Sequence, residues 1–273
     1  MSRPGAARTR LGVLGWPVAH SRSPAIQNAA LTAAGLGHWR YQLLPAPPPL
    51  FQEIVRALPA AGFAGANVTI PHKRAALALA ADATDSARAI GAANTLTFGP
   101  DDGVAADNTD APALIAALPS PIAGRTALVL GAGGSARAAV WALLDAGAAE
   151  VRVWNRTPAR ADELSGDLGA TPVSRAAPAD LLVNCTSVGL DGSDPFDRLP
   201  LDAGDLGGYG CVADLVYTAA GAGETRFLAA ARELQVPTVD GLTLLIAQAA
   251  LSFERFTGVP ASLGAMRAAL PVV

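Results

Sequence analysis

The stretch "TALVLGAGGSARAAVWALLDAG", residues 126–147, decides the fold. Four apolar residues, Ala127 to Leu130, run into Gly131, Gly133 and Gly134, and a segment of helical period follows directly. A glycine turn between a strand and a helix lets backbone amides at the helix start approach a pyrophosphate with no Cβ in the way. The spacing GxGGxA puts Ala136 where the dinucleotide fingerprint often has its third glycine. Gly131, Gly133, Gly134, Ser135 and Ala136 are therefore the expected phosphate-binding turn. A plain tight turn is the bland alternative, and the strand before it and helix after it argue against that.

Working outward, the next predicted strand, 151–154, ends in "NRTPAR". An NAD-binding chain would usually place an acidic residue there, on the ribose 2′-hydroxyl. Asn155, Arg156, Thr157 and Arg160 instead offer guanidinium and hydroxyl donors, which suit a 2′-phosphate carrying about two negative charges. NADP is the expected cofactor, and solvation of a helix start is the competing reading of the same arginines. Further strands at 181–184 and 212–215, each preceded by room for a crossover helix, complete a parallel sheet.

Upstream, apolar runs alternate with segments of helical period. Strands are predicted at 11–14, 39–43, 63–70 and 95–98, and helices at 23–34, 49–58 and 73–80. The fold class is α/β, with an N-terminal α/β substrate domain and a Rossmann-type, doubly wound NADP-binding domain. "PSPIAG" at 119–124 marks a joint. The last long helix, 242–257, has no evident partner in the second domain and is expected to return to the first. The expected division is 1–103 with 238–273 for substrate binding and catalysis, and 104–237 for the dinucleotide.

Composition narrows the function classes. A net charge of -3 with 16% charged residues supplies no field for nucleic acid or an anionic membrane surface, so the expected partner is a small molecule. No apolar run reaches the roughly 18 residues of a membrane span. The basic start "MSRPGAARTR" leads into "LGVLGWPVA", which is short, carries glycines and a proline, and reads as a first strand, not a leader. Cys185 and Cys211 lack CxxC spacing and a histidine cluster, which points to a reduced, cytoplasmic, metal-free protein. The apolar run 29–36 would serve equally as a homodimer face or as core.

A second group of polar residues stands at predicted strand ends: "NVTIPHK" at 67–73, Ser21 and Ser23 in "AHSRSP", Asn94 in "GAANTL", and "DNTD" at 107–110. Each is placed at the carboxyl end of a strand, where open α/β sheets hold their ligands. Singly, each also has a structural reading: a serine before Pro24 caps a helix, Asn94 makes a turn, Asp110 caps the next helix. Lys73 differs in kind, because a lysine that follows a buried strand is a candidate for acid/base work.

Taken together, "GVLGWPVAHSRSP", "GANVTIPHK", "GAANTL", "DNTD", "GAGGSARA", "NRT", "NCTSVG", "DLVY" and "GLTLLIAQAALSFERFTG" resemble the shikimate dehydrogenase family in order and spacing, from about residue 11 to 258. The resemblance implies reversible NADPH-dependent reduction of 3-dehydroshikimate to shikimate in aromatic amino acid (chorismate) biosynthesis. It makes Lys73 and Asp110 the catalytic pair and gives the substrate carboxylate to Ser21 and Ser23. Asn67, Thr69, Asn94, Tyr217 and Gln248 join the substrate side. NADP takes the glycine turn, the NRT segment, and Thr186, Ser187 and Gly189, with Leu215, Gly241 and Leu244 at the nicotinamide end. Quinate/shikimate and aminoshikimate dehydrogenases are the near alternatives; a non-catalytic NADP-binding sensor is a distant one, since it would have lost the lysine or the aspartate. The chain departs from the family pattern with Gln27 for a histidine, Leu244 for a methionine, and no proline in "VYTAAGAGET". His72, at a variable position of its motif, is read as structural or as a minor electrostatic neighbour of Lys73.

Overall fold

The computed structural model describes residues 9–99, 103–217 and 224–270. They form two compact α/β units, one made of the described residues up to Thr109 with Ala249–Leu270, the other of Asp110–Gln248.

The first unit is built on β1 (Thr9–Gly15), β2 (Trp39–Pro45), β3 (Phe63–Val68), β4 (Asp82–Ala83), β5 (Thr95–Phe98) and β6 (Val104–Asp107), in the sheet order β2-β1-β3-β5-β6-β4. β1 is parallel to β2 and β3, whereas β5 is antiparallel to both β3 and β6. The register pairs Leu14 with Val68, Asn67 with Thr95, and Thr95 with Asp107. The ends of β1, β3 and β6 and the start of β5 therefore share one edge.

Helices α1 (Ser23–Ala33), α2 (Phe51–Ala57), α3 (Lys73–Leu79) and α4 (Asp85–Ile90) connect these strands, and α2 is entered through a 3-10 turn at Pro48–Leu50. Ala66 and Val68, two apart on β3 and so on one face, pack with Phe51, Val55, Leu58 and Ala76 into the core. Gly65 points to the other face. A Cβ there would stand 2.6 Å from the Phe256 ring and 2.7 Å from the Leu96 carbonyl oxygen, so only glycine lets the end of α9 (Gly241–Thr257) lie against this strand. The terminal helix α10 (Leu263–Ala268) packs on α1. Of the apolar run 29–36, Ala30 and Leu31 are buried.

Two expectations need correction here. The strand expected over 63–70 stops at Val68. Thr69 N–H still donates to the Leu14 carbonyl at 2.8 Å, but Ile70 is 52% exposed, Pro71 has no N–H, and the turn is closed by His72 N–H donating to Thr69 O at 3.0 Å. Between residues 81 and 107 the periodicity predicts only the strand at 95–98, yet β4, α4 and β6 also form there.

The second unit is a parallel sheet of β7 (Thr126–Leu130), β8 (Glu150–Trp154), β9 (Thr171–Pro172), β10 (Leu181–Asn184), β11 (Val212–Asp214) and β12 (Thr238–Val239), ordered β12-β11-β10-β7-β8-β9. Counted along the chain and read from the opposite edge, this is the doubly wound order of dinucleotide-binding sheets, with its switch point between β7 and β10. Alternate residues of one strand serve two cores. Ala127 and Val129 pack with residues of α6 (Gly134–Asp145) and α7 (Pro158–Leu168), and Leu128 and Leu130 pack with Phe227 and Leu228 of α8 (Arg226–Glu233). α5 (Asp110–Ala117) opens the unit and packs on α6. Arg137 of α6 pairs with Asp167 of α7 at 2.8 Å.

Candidate functional site

The shared edge of the first sheet carries most of the predicted substrate group. Ser21 and Ser23 follow β1, and the Ser21 hydroxyl accepts from Ser23 N–H at 3.3 Å. The helix-capping reading of Ser23 does not hold: α1 begins at Ser23, and its N-cap, Arg22, makes no side-chain cap bond. Thr69 follows β3, close against Gly15, where a Cβ would meet the threonine methyl at 2.5 Å. Lys73 is the first residue of α3 and only 9% exposed; its carbonyl accepts from Ala93 N–H at 2.9 Å, which ties it to the segment leading into Asn94.

Asn94 was expected at the carboxyl end of a strand and lies immediately before β5. The reason is strand polarity: because β5 runs against β3 and β6, its start shares the edge where they end. The Asn94 side chain is 2% exposed; its Oδ1 accepts from Thr109 N–H at 2.8 Å and from the Thr95 hydroxyl at 3.0 Å. Asp110 follows Thr109 directly and opens α5, half-buried.

Asn67 has a different setting. Its Oδ1 accepts from the Tyr41 hydroxyl at 2.8 Å and the Ser252 hydroxyl at 3.3 Å, and its Nδ2 donates to Asn94 O at 3.2 Å and Thr95 Oγ1 at 3.1 Å. An amide has two donor and two acceptor positions, and all four are engaged within the protein. The geometry suits a support beneath Asn94 and Thr95. Gln27, fully buried, donates from Nε2 to Ala249 O at 3.0 Å and to the Ser252 hydroxyl at 3.2 Å. The sequence reading gives no role to Tyr41, Ser252 or Thr95, although Thr95 lies inside "GAANTL" and Ser252 inside "GLTLLIAQAALSFERFTG".

His72 is 3% exposed and stacks on Phe51, with ring centroids 4.2 Å apart and planes within 6°. Its Nε2 lies 2.7 Å from Ala46 O, and since a carbonyl only accepts, Nε2 carries the proton. Burial lowers its pKa, against the opposing pull of the Ala46 bond.

In the second unit the glycine turn stands at the switch point. Gly131 has φ +108, and a Cβ there would meet the Cys185 carbonyl and the Thr186 methyl at 3.3 Å, so the end of β7 and the end of β10 touch through a residue that only glycine fills without strain. Around Gly133 the space is open, and as N-cap of α6 it puts no side chain in front of the first helical N–H groups. Gly134 and Ser135 open α6, and Ala136 is fully buried beneath them. These features fit a dinucleotide pyrophosphate. After β8, Asn155 Nδ2 donates to Thr157 O at 2.9 Å, Thr157 is the N-cap of α7, and Arg156 and Arg160 are exposed. Thr186 is half-buried, Ser187 is exposed, and Gly189 has φ +92.

Gly241, the first residue of α9, is pressed on the Leu215–Val216 backbone; a Cβ would overlap the Val216 carbonyl oxygen and stand 3.0 Å from Leu215 O. Leu244 is buried in the core beside α6. Gln248 Nε2 donates to Leu245 O at 2.9 Å, and Tyr217 is half-buried. The loop that follows Tyr217, where the missing proline put the family contacts in question, lies outside the described residues. Cys185 packs in the core as expected of an unreactive thiol. Among the described residues, no helix is long and apolar enough to cross a membrane.

Asp214, the acid of "DLVY", is the most deeply buried carboxylate of the second unit, at 1% exposure. Desolvation pushes its pKa up to about 6, against the bonds from Thr225, Val216 and Asn184 that favour its charge. The sign follows from linkage. Between about pH 4 and pH 6 the unfolded chain has lost this proton and the folded protein still holds it, so stability falls by about 3 kcal/mol in all as pH rises through that window, and the loss is constant above it. Asp214→Asn should therefore gain about 3 kcal/mol on wild type between pH 4 and pH 7 in urea melts. Parallel stability curves for the two proteins would contradict this.

Models of three related domains match the chain: shikimate dehydrogenase substrate binding domain over residues 13–96, shikimate / quinate 5-dehydrogenase over 115–186, and shikimate 5′-dehydrogenase C-terminal domain over 241–270. A shikimate dehydrogenase (NADP(+)) of Methylobacterium radiotolerans is 46% identical over 267 residues, covering 92% of each chain. One from Paracoccus denitrificans is 45% identical over 262 residues, covering 90% of each. Among solved structures, shikimate 5-dehydrogenase from Thermus thermophilus in complex with NADP(H) and shikimate superposes with a TM-score of 0.84 at 39% identity, covering 96% of this chain and 98% of that one.

Proposed function

The chain belongs to the shikimate dehydrogenase family, and from that premise we propose that it catalyses the reversible NADPH-dependent reduction of 3-dehydroshikimate to shikimate, a step of aromatic biosynthesis. The observation that carries the assignment of residues is strand polarity in the first sheet. β1, β3 and β6 end, and β5 begins, on a single edge, and these strand ends are the ones next in sequence to Ser21 and Ser23, to Thr69 and Lys73, to the "DNTD" segment and to Asn94, which supports one shared site. The proposed division of labour gives the substrate to the first unit and the dinucleotide to the second.

In this proposal the hydroxyls of Ser21 and Ser23 receive the substrate carboxylate. Thr69, Asn94, Tyr217 and Gln248 offer neutral donors and acceptors to the ring oxygens and carboxylate. Asn67 holds Asn94 and Thr95 in place from behind. When bound to the glycine turn, Arg156 and the Thr186 loop, NADPH supplies the hydride. As the carbonyl oxygen becomes an alkoxide, the Lys73 ammonium gives it a proton and is left as the neutral amine, to be reprotonated from solvent. Asp110 orients the lysine and balances its charge. In the oxidative direction the amine takes the proton from the alcohol.

A cytoplasmic location belongs to the same proposal, supported by two buried free cysteines. Its test is absorbance of the reduced nicotinamide with purified protein, NADP+ or NAD+, and shikimate, quinate or an amino analogue offered in turn. NADP+ with shikimate is expected to give the highest kcat/KM. Faster turnover of quinate would move the chain to the quinate/shikimate branch, and no turnover of any pair would overturn the enzymatic reading.

A further inference from the structure

We propose that Asp214 is a positioning residue for the nicotinamide half of the bound dinucleotide, acting through two segments that its carboxylate holds at once, the Asn184–Thr186 turn and the Leu215–Val216 backbone. The proposal rests on the NADP reading above and concerns a residue given no part in it so far.

The contacts run in both directions from one buried group. Oδ1 of Asp214 accepts from Asn184 Nδ2 at 2.9 Å and from Val216 N–H at 3.1 Å, and Oδ2 accepts from the Thr225 hydroxyl at 2.7 Å. A carboxylate has no donor to offer, so the fully buried Asn184 must turn its NH2 toward Asp214 and its oxygen the other way. That oxygen accepts from Thr186 N–H at 3.1 Å and the Thr186 hydroxyl at 2.7 Å, and Thr186 Oγ1 in turn accepts from Val188 N–H at 3.1 Å. The relay thus ends in the loop whose threonine methyl lies against Gly131 at the switch point. On the other side, the Val216 N–H bond fixes the short backbone segment against which Gly241 is pressed.

The side of the sheet decides which half of the ligand is affected. A doubly wound sheet binds a dinucleotide across its switch point, one mononucleotide to each half. Arg156 and Arg160 follow β8 in the first half, and Asn184 and Asp214 end β10 and β11 in the second. The charge-bearing 2′-phosphate end and the Asp214 relay therefore serve opposite ends of the same ligand.

The experiment compares Asp214→Ala and Asp214→Asn with wild type, measuring dissociation constants for NADP+ and for adenosine 2′,5′-bisphosphate, which carries the adenosine end alone, by titration calorimetry. Asp214→Ala is expected to weaken NADP+ by about tenfold to a hundredfold and the bisphosphate by less than about twofold. Asp214→Asn should recover most of the loss, because an amide oxygen can still accept from Asn184 and Val216 while its NH2 donates to Thr225. Equal weakening of both probes would mean a general structural role and overturn the proposal, as would no weakening of either. Should Asp214→Ala not fold, Asn184→Ala cuts the same relay one bond further on and carries the same expectations. Wild-type protein that binds the bisphosphate but not NADP+, or neither, would bring down the NADP reading itself, a result distinct from failure of the variant.

Discussion

Lys73→Ala is expected to lower kcat for shikimate oxidation by about a thousandfold while leaving the NADP+ dissociation constant within about twofold. The size of the effect follows from what the side chain is proposed to do. A positioned general acid or base contributes roughly a hundredfold to ten-thousandfold. His72 is the adjacent titratable residue, but its proton sits on the nitrogen facing Ala46 O, its ring is stacked on Phe51, and burial lowers its pKa, so near neutral pH it has no proton to offer the substrate. Lys73→Arg separates proton transfer from simple charge: guanidinium keeps the positive charge and does not release its proton at ordinary pH. Arginine should therefore restore shikimate KM more than kcat. Ordinary turnover with weakened NADP+ binding in Lys73→Ala would place the lysine on the cofactor and remove it from the chemistry.

The parts of the molecule that were legible in the sequence are those whose signal is local. The glycine turn shows itself within residues 126–147, because a strand, a turn with positive φ and an amphipathic helix succeed one another in a fixed pattern. The motif residues at the substrate edge were legible as a group but not in their geometry. Asn94 looked like a strand end because nothing in "GAANTL" says that the following strand runs backwards; that depends on its pairing with β3 and β6. β4 is two residues long and has no period to read. The motif around Asn67 says nothing of its partners inside the fold, because Tyr41 and Ser252 lie 26 and 185 positions away. Asp214 was passed over for the same reason: in "DLVY" it is one acid before an apolar pair, and only the fold brings Asn184, 30 positions upstream, and Thr225 to its two oxygens.

Arg156→Asp should lower kcat/KM for NADPH by about a hundredfold or more and change that for NADH by less than about threefold, reversing much of the cofactor preference. The segment is set up for this discrimination before any ligand arrives. Asn155 Nδ2 holds Thr157 O at 2.9 Å, and Pro158, directly after the N-cap position, fixes the first turn of α7, so the backbone around Arg156 is defined although the side chain is exposed. A guanidinium fork on a phosphate makes charge-assisted hydrogen bonds of about 1.5–3 kcal/mol each, and NADH lacks the group they would reach. Aspartate also adds repulsion toward the 2′-phosphate and a better partner for a free ribose 2′-hydroxyl. Exposure sets the salt dependence: at about 1 M ionic strength the Debye length falls to about 3 Å, and the wild-type preference for NADPH should shrink accordingly. Equal losses for both cofactors, or a preference indifferent to salt, would mean that Arg156 supports the α7 start and never meets the phosphate.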